Sequence, residues 1–358
     1  MFKENNKYKV ILLVASSLIL TLIVSLVFYS SDSKGTSKFN STILVAQIVK
    51  DCNLNKNLDE ISDLKIYCIR HKIVTPGRSL EEEILLANSL IGTPGGFYCH
   101  GIIHQLTVEL YKGEESLVKY LKYFPASCSS SLIHGLFEAA GKNSSFESLL
   151  KIAEENCRKV NTLEEQDRFG ACWHSFGGAI YIMKNGDVSE AIKACAKLEV
   201  GKEVSFCVTG VVQDNVIYAY LTDKEMVVDC SRYKGSVLRG CLVNPTIDRP
   251  INELDANIYC QGYAKVEVEQ VLCRVGLVNN YLALVRYSLT SVIPLCRDSS
   301  SRGYSKGCIR HAVQQITMVT GKEPSLIPEL AIFKGEADLF PSKSEVATGA
   351  SRVIYELF

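Results

Sequence analysis

The chain of 358 residues lacks several signatures that would assign a chemistry directly. No two of its 14 cysteines are separated by two residues, so zinc-ribbon, thioredoxin-like and c-type haem sites are without their motif. It has no H-E-x-x-H segment to support a zincin mechanism, and no P-loop, Rossmann fingerprint or nucleophile elbow. The chain also has no excess of either charge, since it contains 39 basic and 39 acidic residues. This balance argues against a nucleic-acid partner.

Charge is absent from twenty consecutive residues near the N-terminus, Val10 to Tyr29, which read VILLVASSLILTLIVSLVFY. A helix of twenty residues is about 30 Å long, which matches the hydrocarbon core of a bilayer. We therefore predict a transmembrane anchor over residues 10–30, which makes the membrane the first expected partner. A cleaved signal peptide is the alternative, but the apolar run is long for one and its end, residues 28–31, offers no A-x-A cleavage pattern.

The flanking charges predict the orientation of this anchor. Three lysines precede it within residues 1–9, and two lysines and one aspartate follow it within residues 31–40. The excess of positive charge on the N-terminal side places residues 1–9 in the cytoplasm and the rest of the chain outside. Residues 31–40 are small and polar, and are predicted to be a juxtamembrane linker.

The cysteines agree with an extracytoplasmic location, because their number is high and even, as in a disulfide framework. Ten of them form five successive pairs whose second members lie 35, 34, 32 and 35 residues apart, a period typical of two-helix repeats. These pairs are Cys157 with Cys172, Cys195 with Cys207, Cys230 with Cys241, Cys260 with Cys273, and Cys296 with Cys308.

The segments around these cysteines predict helical hairpins. Residues 187–198, DVSEAIKACAKL, have apolar residues at helical spacing with a cysteine near the end, and the next apolar segment carries its cysteine near the start. In an αα-hairpin those two positions lie side by side, within reach of a disulfide. Cys52 and Cys68 fit the same rule, and Cys99 and Cys128 pair by elimination, although sequence alone does not determine connectivity.

Strand signals are weak throughout, so the predicted fold class is all-α. We expect a disulfide-linked, solenoid-like domain of α-hairpin repeats over residues 41–341. A C-terminal capping helix is expected over residues 342–358.

Histidines are scarce, yet four of the six lie between residues 100 and 174. His100 and His104 are four residues apart and share one helix face, and His134 and Glu138 repeat that spacing. Neighbouring hairpins could bring both pairs together with His174. Such a set suits a transition metal, namely zinc, iron, manganese or copper, with Glu138 as a ligand or a general base.

Each of these histidines also has a structural interpretation, since a pair at this spacing arises easily by chance and an imidazole can simply hydrogen-bond a neighbouring helix. His71 and His311 are expected to be peripheral to any site. Trp173 is expected to belong to the core.

The same residues carry a resemblance to an uncharacterised group of microbial extracytoplasmic helical-repeat proteins, over roughly residues 95–215. That group is marked by C-H-x-x-x-H, H-G-x-x-E and C-x-H-G-x-G-H segments. Here they correspond to Cys99-His100 with His104, to His134-Gly135 with Glu138, and to Cys172-x-His174. This chain has Gly178 where the third segment ends in histidine, and Ser175 in place of a glycine. The resemblance therefore implies a lost ligand and a degenerate, non-catalytic version of the site.

Two functions of different classes follow from these patterns. The first is a membrane-anchored scaffold that binds a protein partner at the extracytoplasmic face, because helical-hairpin repeats offer extended surfaces. The second is a metal-dependent enzyme, hydrolytic or oxidative, that uses the histidines and Glu138. Thiol exchange by the disulfides is a weaker third hypothesis, since no C-x-x-C motif is present.

Overall fold

In the computed structural model all regular secondary structure of the described residues is helical. The described residues are 41–54, 63–90, 93, 96–123, 128–158, 163–222, 228–243, 253–284, 288–296, 302–320, 354–355 and 358. The all-α class is thus confirmed for this part of the chain. The predicted anchor at 10–30, with its flanks 1–9 and 31–40, lies outside the described residues. Among the described helices, none is both long and apolar enough to cross a bilayer.

Fifteen α-helices follow one another in the described part of the chain. They are α1 Ser41–Asp51, α2 Asp63–Ile73, α3 Leu80–Asn88, α4 Gly96–Leu110, α5 Glu114–Tyr123, α6 Ser131–Gly141, α7 Phe146–Cys157, α8 Leu163–Met183, α9 Val188–Cys195, α10 Gly201–Thr222, α11 Gly235–Leu242, α12 Glu253–Tyr263, α13 Glu267–Leu284, α14 Leu289–Cys296 and α15 Arg302–Thr320. Short 3-10 helices, Cys128–Ser130 and Cys230–Arg232, precede α6 and α11.

Several of the shorter helices begin at a side chain that accepts a hydrogen bond from the first turn. Ser79 and Glu82 form a capping box at the start of α3, each side chain accepting a bond from the other residue's backbone N–H. Ser145 caps α7 and Asp187 caps α9 in the simpler, one-sided way. Such caps stabilise a helix end by about 1 kcal/mol and fix where each helix of a hairpin begins.

Disulfides join the helices of these hairpins, and they involve all 14 cysteines. The pairs are Cys52–Cys68, Cys99–Cys128, Cys157–Cys172, Cys195–Cys207, Cys230–Cys241, Cys260–Cys273 and Cys296–Cys308, with Cα–Cα separations between 5.3 and 5.9 Å. These coincide with the pairs expected from the hairpin spacing. Disulfides and helical repeats are thus both present as predicted, and so many disulfides indicate an oxidising, extracytoplasmic compartment.

The second helices of the hairpins pack against one another in sequence order within one compact unit, Thr42–Phe358. α4 contacts α6, which contacts α8, and the series continues through α10, α11, α13 and α15. α15 in turn contacts α4, so the series returns to its first member. A solenoid-like domain of hairpin repeats was expected, and the contact between α15 and α4 was not part of that expectation. It follows that α4 has a second neighbour which no local pattern could indicate.

The largest fully buried side chains lie where α6 and α8 meet. Trp173 and Phe176 of α8 make an edge-to-face contact with ring centroids 5.4 Å apart, and Phe137 of α6 packs on Phe176 at 6.1 Å. Trp173 has no exposed surface, in agreement with its predicted place in the core. This apolar layer lies directly beside the helix turns that carry His134 and His174.

Of the predicted capping helix at 342–358, only Ile354, Tyr355 and Phe358 lie within the described residues, and the first two are helical. Tyr355 and Phe358 pack on Phe206 at the start of α10. The backbone carbonyl of Tyr355 accepts a hydrogen bond of 2.8 Å from Lys202 Nζ. These contacts attach the described end of the chain to the first turns of α10.

Candidate metal centre

The first two histidines of the centre extend from one face of α4. His100 and His104 are one turn apart, with ring centroids 6.0 Å from each other. The Nδ1 atom of His100 lies 2.9 Å from the carbonyl oxygen of Cys128, which can only accept, so Nδ1 donates in this pair. That tautomer leaves Nε2 of His100 as the nitrogen with a free lone pair, the form in which an imidazole binds a metal.

α6 contributes His134 and Glu138, which are also one turn apart and face α4. The ring of His134 lies 5.9 Å from that of His100 and 6.2 Å from that of His104. Glu138 Oε1 is 2.8 Å from His104 Nε2, a hydrogen bond that joins the two helices. His134 is therefore the central member of the cluster, and Glu138 is its carboxylate.

His174 of α8 completes the set of histidines, with its ring centroid 4.8 Å from that of His134. Two imidazoles bound to one zinc ion have centroids roughly 5–6 Å apart, because each ring centre lies about 3.2 Å from the metal. The observed separations thus lie close to those of a shared ion. The three helices bring all four histidines and Glu138 into one cluster.

The tightest group within this cluster consists of His104, His134 and Glu138. One ligand atom from each can be chosen so that all three lie within 4.8 Å of one another. Ligand atoms on a tetrahedral zinc are about 3.4 Å apart, so the group is slightly expanded relative to a loaded site. His100 and His174 lie next to this group, one on the α4 side and the other on the α8 side.

Burial keeps the inner histidines neutral. It lowers the pKa of His100 to about 4, with a further electrostatic contribution from the neighbouring imidazole of His104. The pKa of His174 is likewise lowered to about 4, mainly by burial and then by His100. The pKa of His134 is lowered well below its usual 6.5 by burial and by the three surrounding imidazoles. A neutral imidazole is the form that binds metal, so all three are ready to act as ligands at neutral pH.

Glycines allow the helices of the centre to approach closely. A Cβ on Gly135 would overlap Thr107 Oγ1 and lie 2.7 Å from the carbonyl oxygen of His104. On the other side of α6, a Cβ on Gly141 would lie 2.6 Å from the carbonyl oxygen of Ala179. The glycine that follows His134 in the H-G-x-x-E segment is therefore explained by contact between α6 and α4, which sets the spacing of the ligands.

Sequence reasoning missed one residue of this region, Asp214 on α10. Its carboxyl group packs against Gly178, and a Cβ on that glycine would overlap Asp214 Oδ2. Burial raises the pKa of Asp214 well above its usual range, and the negative charge of Glu138 raises it further. The signal available in the sequence was the absence of a side chain at position 178, one turn after His174.

Two other histidines, His71 and His311, were expected to be peripheral to the site, and this stays a prediction. His71 is exposed on α2 and stacks on Tyr67. His311 lies on α15 and is buried, with 1% of it exposed. Ser175, which replaces a glycine of the resembled segment, is fully buried and donates a hydrogen bond to the Ala171 carbonyl.

The chain matches no protein-family model, no curated protein and no solved structure. A function is therefore inferred from the residues of the centre and their geometry.

Proposed function

We propose that the protein binds a transition-metal ion at His104, His134 and Glu138, and that its function is metal-dependent hydrolytic or oxidative chemistry. The observation that carries this proposal is the convergence of ligand atoms from α4 and α6 within 4.8 Å. His100 and His174 lie beside these ligands and can complete the coordination. The expected cofactor is zinc, iron, manganese or copper.

The donor set supports an ion bound by nitrogen and oxygen. Neutral imidazoles and one carboxylate suit zinc, iron, manganese and copper, whereas soft thiolate ligands are excluded because all the cysteines are in disulfides. Dedicated calcium or magnesium sites use oxygen ligands, which this cluster of imidazoles does not offer. The chemistry of the residues thus narrows the class of metal.

Exposure at one side of the centre supports access by water and substrate. The side chains of His104 and Glu138 are 25% and 18% exposed, whereas His134 is 4% exposed. An ion held here would therefore have protein on the His134 side and solvent on the other. A water molecule bound on the open side would have a lowered pKa, and Glu138 is placed to bind the ion or to take a proton from that water.

Metal content tests the proposal against a purely structural role for the histidines. The full-length chain is produced with its disulfides formed, loaded with zinc and dialysed, and its metal is measured by elemental mass spectrometry. We expect retained zinc in the wild type and its loss in His134→Ala, with unchanged helix content by circular dichroism. His71→Ala is the matched control, because His71 is exposed on α2 and does not belong to the group of ligand atoms.

A metal-free wild type, or equal metal in the wild type and His134→Ala, contradicts the proposal. The hydrogen bonds of His100 with Cys128 and of His104 with Glu138 would then be the whole role of these side chains. Zinc that is retained and lost as expected would justify assays of hydrolytic and oxidative activity.

A second candidate function, binding of a protein partner, is supported by exposed apolar side chains near the described N-terminal helices. Ile43, Tyr67 and Leu85, on α1, α2 and α3, are 65%, 70% and 52% exposed. Exposed apolar side chains mark an interaction site when they form one contiguous patch, so the candidate requires these three to act together. A photo-reactive amino acid at position 67 should crosslink a partner in cells, and Leu85→Ser should weaken that crosslink without changing the metal content.

The anchor and the orientation belong to the same proposal. Residues 10–30 would hold the protein in the membrane with residues 1–9 in the cytoplasm, which places the metal centre outside the cytoplasm. Protease treatment of intact cells or spheroplasts should then degrade the domain and leave a short membrane-bound fragment. Release of the whole protein by a salt wash would contradict the anchor.

A further inference from the structure

One side of α2 exposes large side chains to solvent. Tyr67 is 70% exposed, and Val74, directly after the helix, is 40% exposed. With His71, which is also exposed, they are spaced at i, i+4 and i+7 and so lie along one side of the helix. The opposite side belongs to the core, since Ile69 and Ile73 have no exposed surface. α2 is therefore an amphipathic helix whose core-facing side leaves further apolar surface uncovered.

Local contacts hold this exposed side in a defined shape. The rings of Tyr67 and His71 are stacked, with centroids 6.2 Å apart and planes within 5° of each other. The Val74 N–H donates to the Arg70 carbonyl at 2.8 Å, which continues the helical turn as far as Val74. Arg78 Nη1 donates to the last two carbonyls of α2 at 2.8 and 2.7 Å. We refer to Tyr67, Arg70, His71 and Val74 as the α2 face.

The segment that carries the α2 face is basic, although the charge of the whole chain is balanced. Residues 64–80 contain four lysines and arginines and neither aspartate nor glutamate. One of the four, Lys72, pairs with Asp51 of α1 at 2.7 Å, whereas Arg70 belongs to the α2 face itself. Of the glutamates that follow, Glu82 is held in the capping box of α3 and Glu83 is buried. A positive surface of this kind favours an anionic partner.

The position of the α2 face in the chain indicates which anionic partner this is. The proposed anchor ends at residue 30 and α1 begins at Ser41, so only residues 31–40 separate them. Ten residues span at most about 35 Å, and α1 adds about 16 Å. The Cys52–Cys68 disulfide then joins the end of α1 to α2 at the residue next to Tyr67. A membrane that holds the anchor is therefore within reach of the α2 face.

We propose that the α2 face docks on the anionic phospholipid headgroups of the membrane that holds the anchor. This inference rests on the proposed function, namely on the anchor at residues 10–30. Tyrosine favours the boundary between headgroups and acyl chains, and basic side chains attract anionic headgroups in a salt-dependent way. Docking would fix one orientation of the domain on the membrane. The protein-partner candidate for Tyr67 predicts the opposite, a face that does not touch lipid.

Tryptophan fluorescence tests the docking, because Trp173 is the only tryptophan of the chain and is fully buried. Full-length Tyr67→Trp is reconstituted in liposomes of phosphatidylcholine and phosphatidylglycerol, with or without brominated acyl chains, which quench a tryptophan that touches them. We expect bromination to lower the emission from position 67 about twofold, since a docked tryptophan lies next to the acyl chains. Ile258→Trp is the matched control: position 258 is 61% exposed on α12, and its emission should not change.

Quenching at position 67 but not at 258, lost in phosphatidylcholine alone or at high salt, supports the docking. Unquenched Tyr67→Trp that floats with the liposomes overturns it and leaves the anchor intact, whereas protein that does not float contradicts both. Equal quenching at both positions also overturns it, since any exposed tryptophan would then reach the lipid. Quenching that persists without phosphatidylglycerol overturns the assignment to anionic headgroups. If Tyr67→Trp does not fold, Val74→Trp is judged by the same criteria.

Discussion

Gly178 of α8 and Asp214 of α10 lie so close that a methyl group on the glycine would overlap the Oδ2 atom of the aspartate. The neighbouring residue, Gly177, is in an even closer contact, but with the backbone carbonyl oxygen of Cys207. Two adjacent glycines on one helix thus face different obstacles, one a side-chain end that can rotate and the other a fixed backbone. This difference leads to a prediction about stability.

Gly177→Ala should destabilise the protein, whereas Gly178→Ala should not. A methyl group added at position 177 would push α8 away from α10, and overpacking of this kind costs about 2–3 kcal/mol. At position 178 the Asp214 side chain can rotate, and the better helix propensity of alanine offsets about 1 kcal/mol of the cost. Urea unfolding of both variants measures the difference. Equal losses of stability would show that the Asp214 side chain is as rigid as the backbone.

The metal-free protein should lose stability as the pH falls from 6.5 towards 4. Burial lowers the pKa of both His100 and His174 from 6.5 to about 4, so in this window the unfolded chain binds protons that the folded chain does not. Stability therefore rises with pH across the window and is fully present above 6.5. One pKa unit corresponds to about 1.4 kcal/mol. Protonation of each of these histidines therefore lowers the free energy of unfolding by on the order of 3 kcal/mol.

Chemical denaturation of the chelator-treated protein at a series of pH values measures this effect. A variant with both His100 and His174 replaced by glutamine should show a flatter profile between pH 4 and 6.5, while the slope that buried His134 contributes remains. If the wild type and this variant had the same slope, the loss of stability would come from other groups.

Arg158 should contribute more to stability than an exposed arginine does. It binds Glu203 through two bonds of 2.6 and 2.9 Å, and the Glu203 side chain is only 1% exposed. Arg158→Ala would leave that buried carboxylate without its cation, at a cost of about 2–3 kcal/mol. Arg232→Ala is the control, since the Arg232–Asp229 pair is exposed and should contribute less than about 0.5 kcal/mol. Thermal unfolding that is equal for both variants would contradict this.

Much of the fold could be predicted because its signals are local. A cysteine near the end of one helix and another near the start of the next identify each hairpin, as for Cys195 and Cys207. The pairing of α15 with α4 could not be predicted in this way. It brings together helices about 200 residues apart in the chain, and no sequence motif marks that contact.

In the candidate site, too, the local spacing of residues could be predicted from the sequence, whereas the contacts between distant helices could not. A spacing of four residues is enough to place His100 with His104, and His134 with Glu138, on single helix faces. Asp214 on α10 belongs to no sequence motif. Its position beside α8 depends on how α10 crosses α8. The contact of Gly178 with Asp214 depends on the same crossing.

The Cys99–Cys128 disulfide should affect metal binding, whereas other disulfides should affect stability alone. Cys99 precedes His100 on α4, and the carbonyl of Cys128 accepts the hydrogen bond from His100 Nδ1. Without the bridge, the 3-10 turn that begins at Cys128 can move away, and His100 loses the acceptor that fixes its tautomer and ring orientation. Loss of such a supporting hydrogen bond typically weakens metal binding about 10–100-fold.

The control for this prediction is the Cys260–Cys273 bridge, which joins α12 to α13. Replacing either pair with alanine should destabilise the protein by about 2–4 kcal/mol, since both bridges restrict the unfolded chain. Zinc affinity, measured by competition with a chromophoric chelator at a temperature where both variants are folded, should fall only in the variant without Cys99 and Cys128. If the two variants bind zinc equally well, the bridge does not position His100, and its contribution is to stability alone.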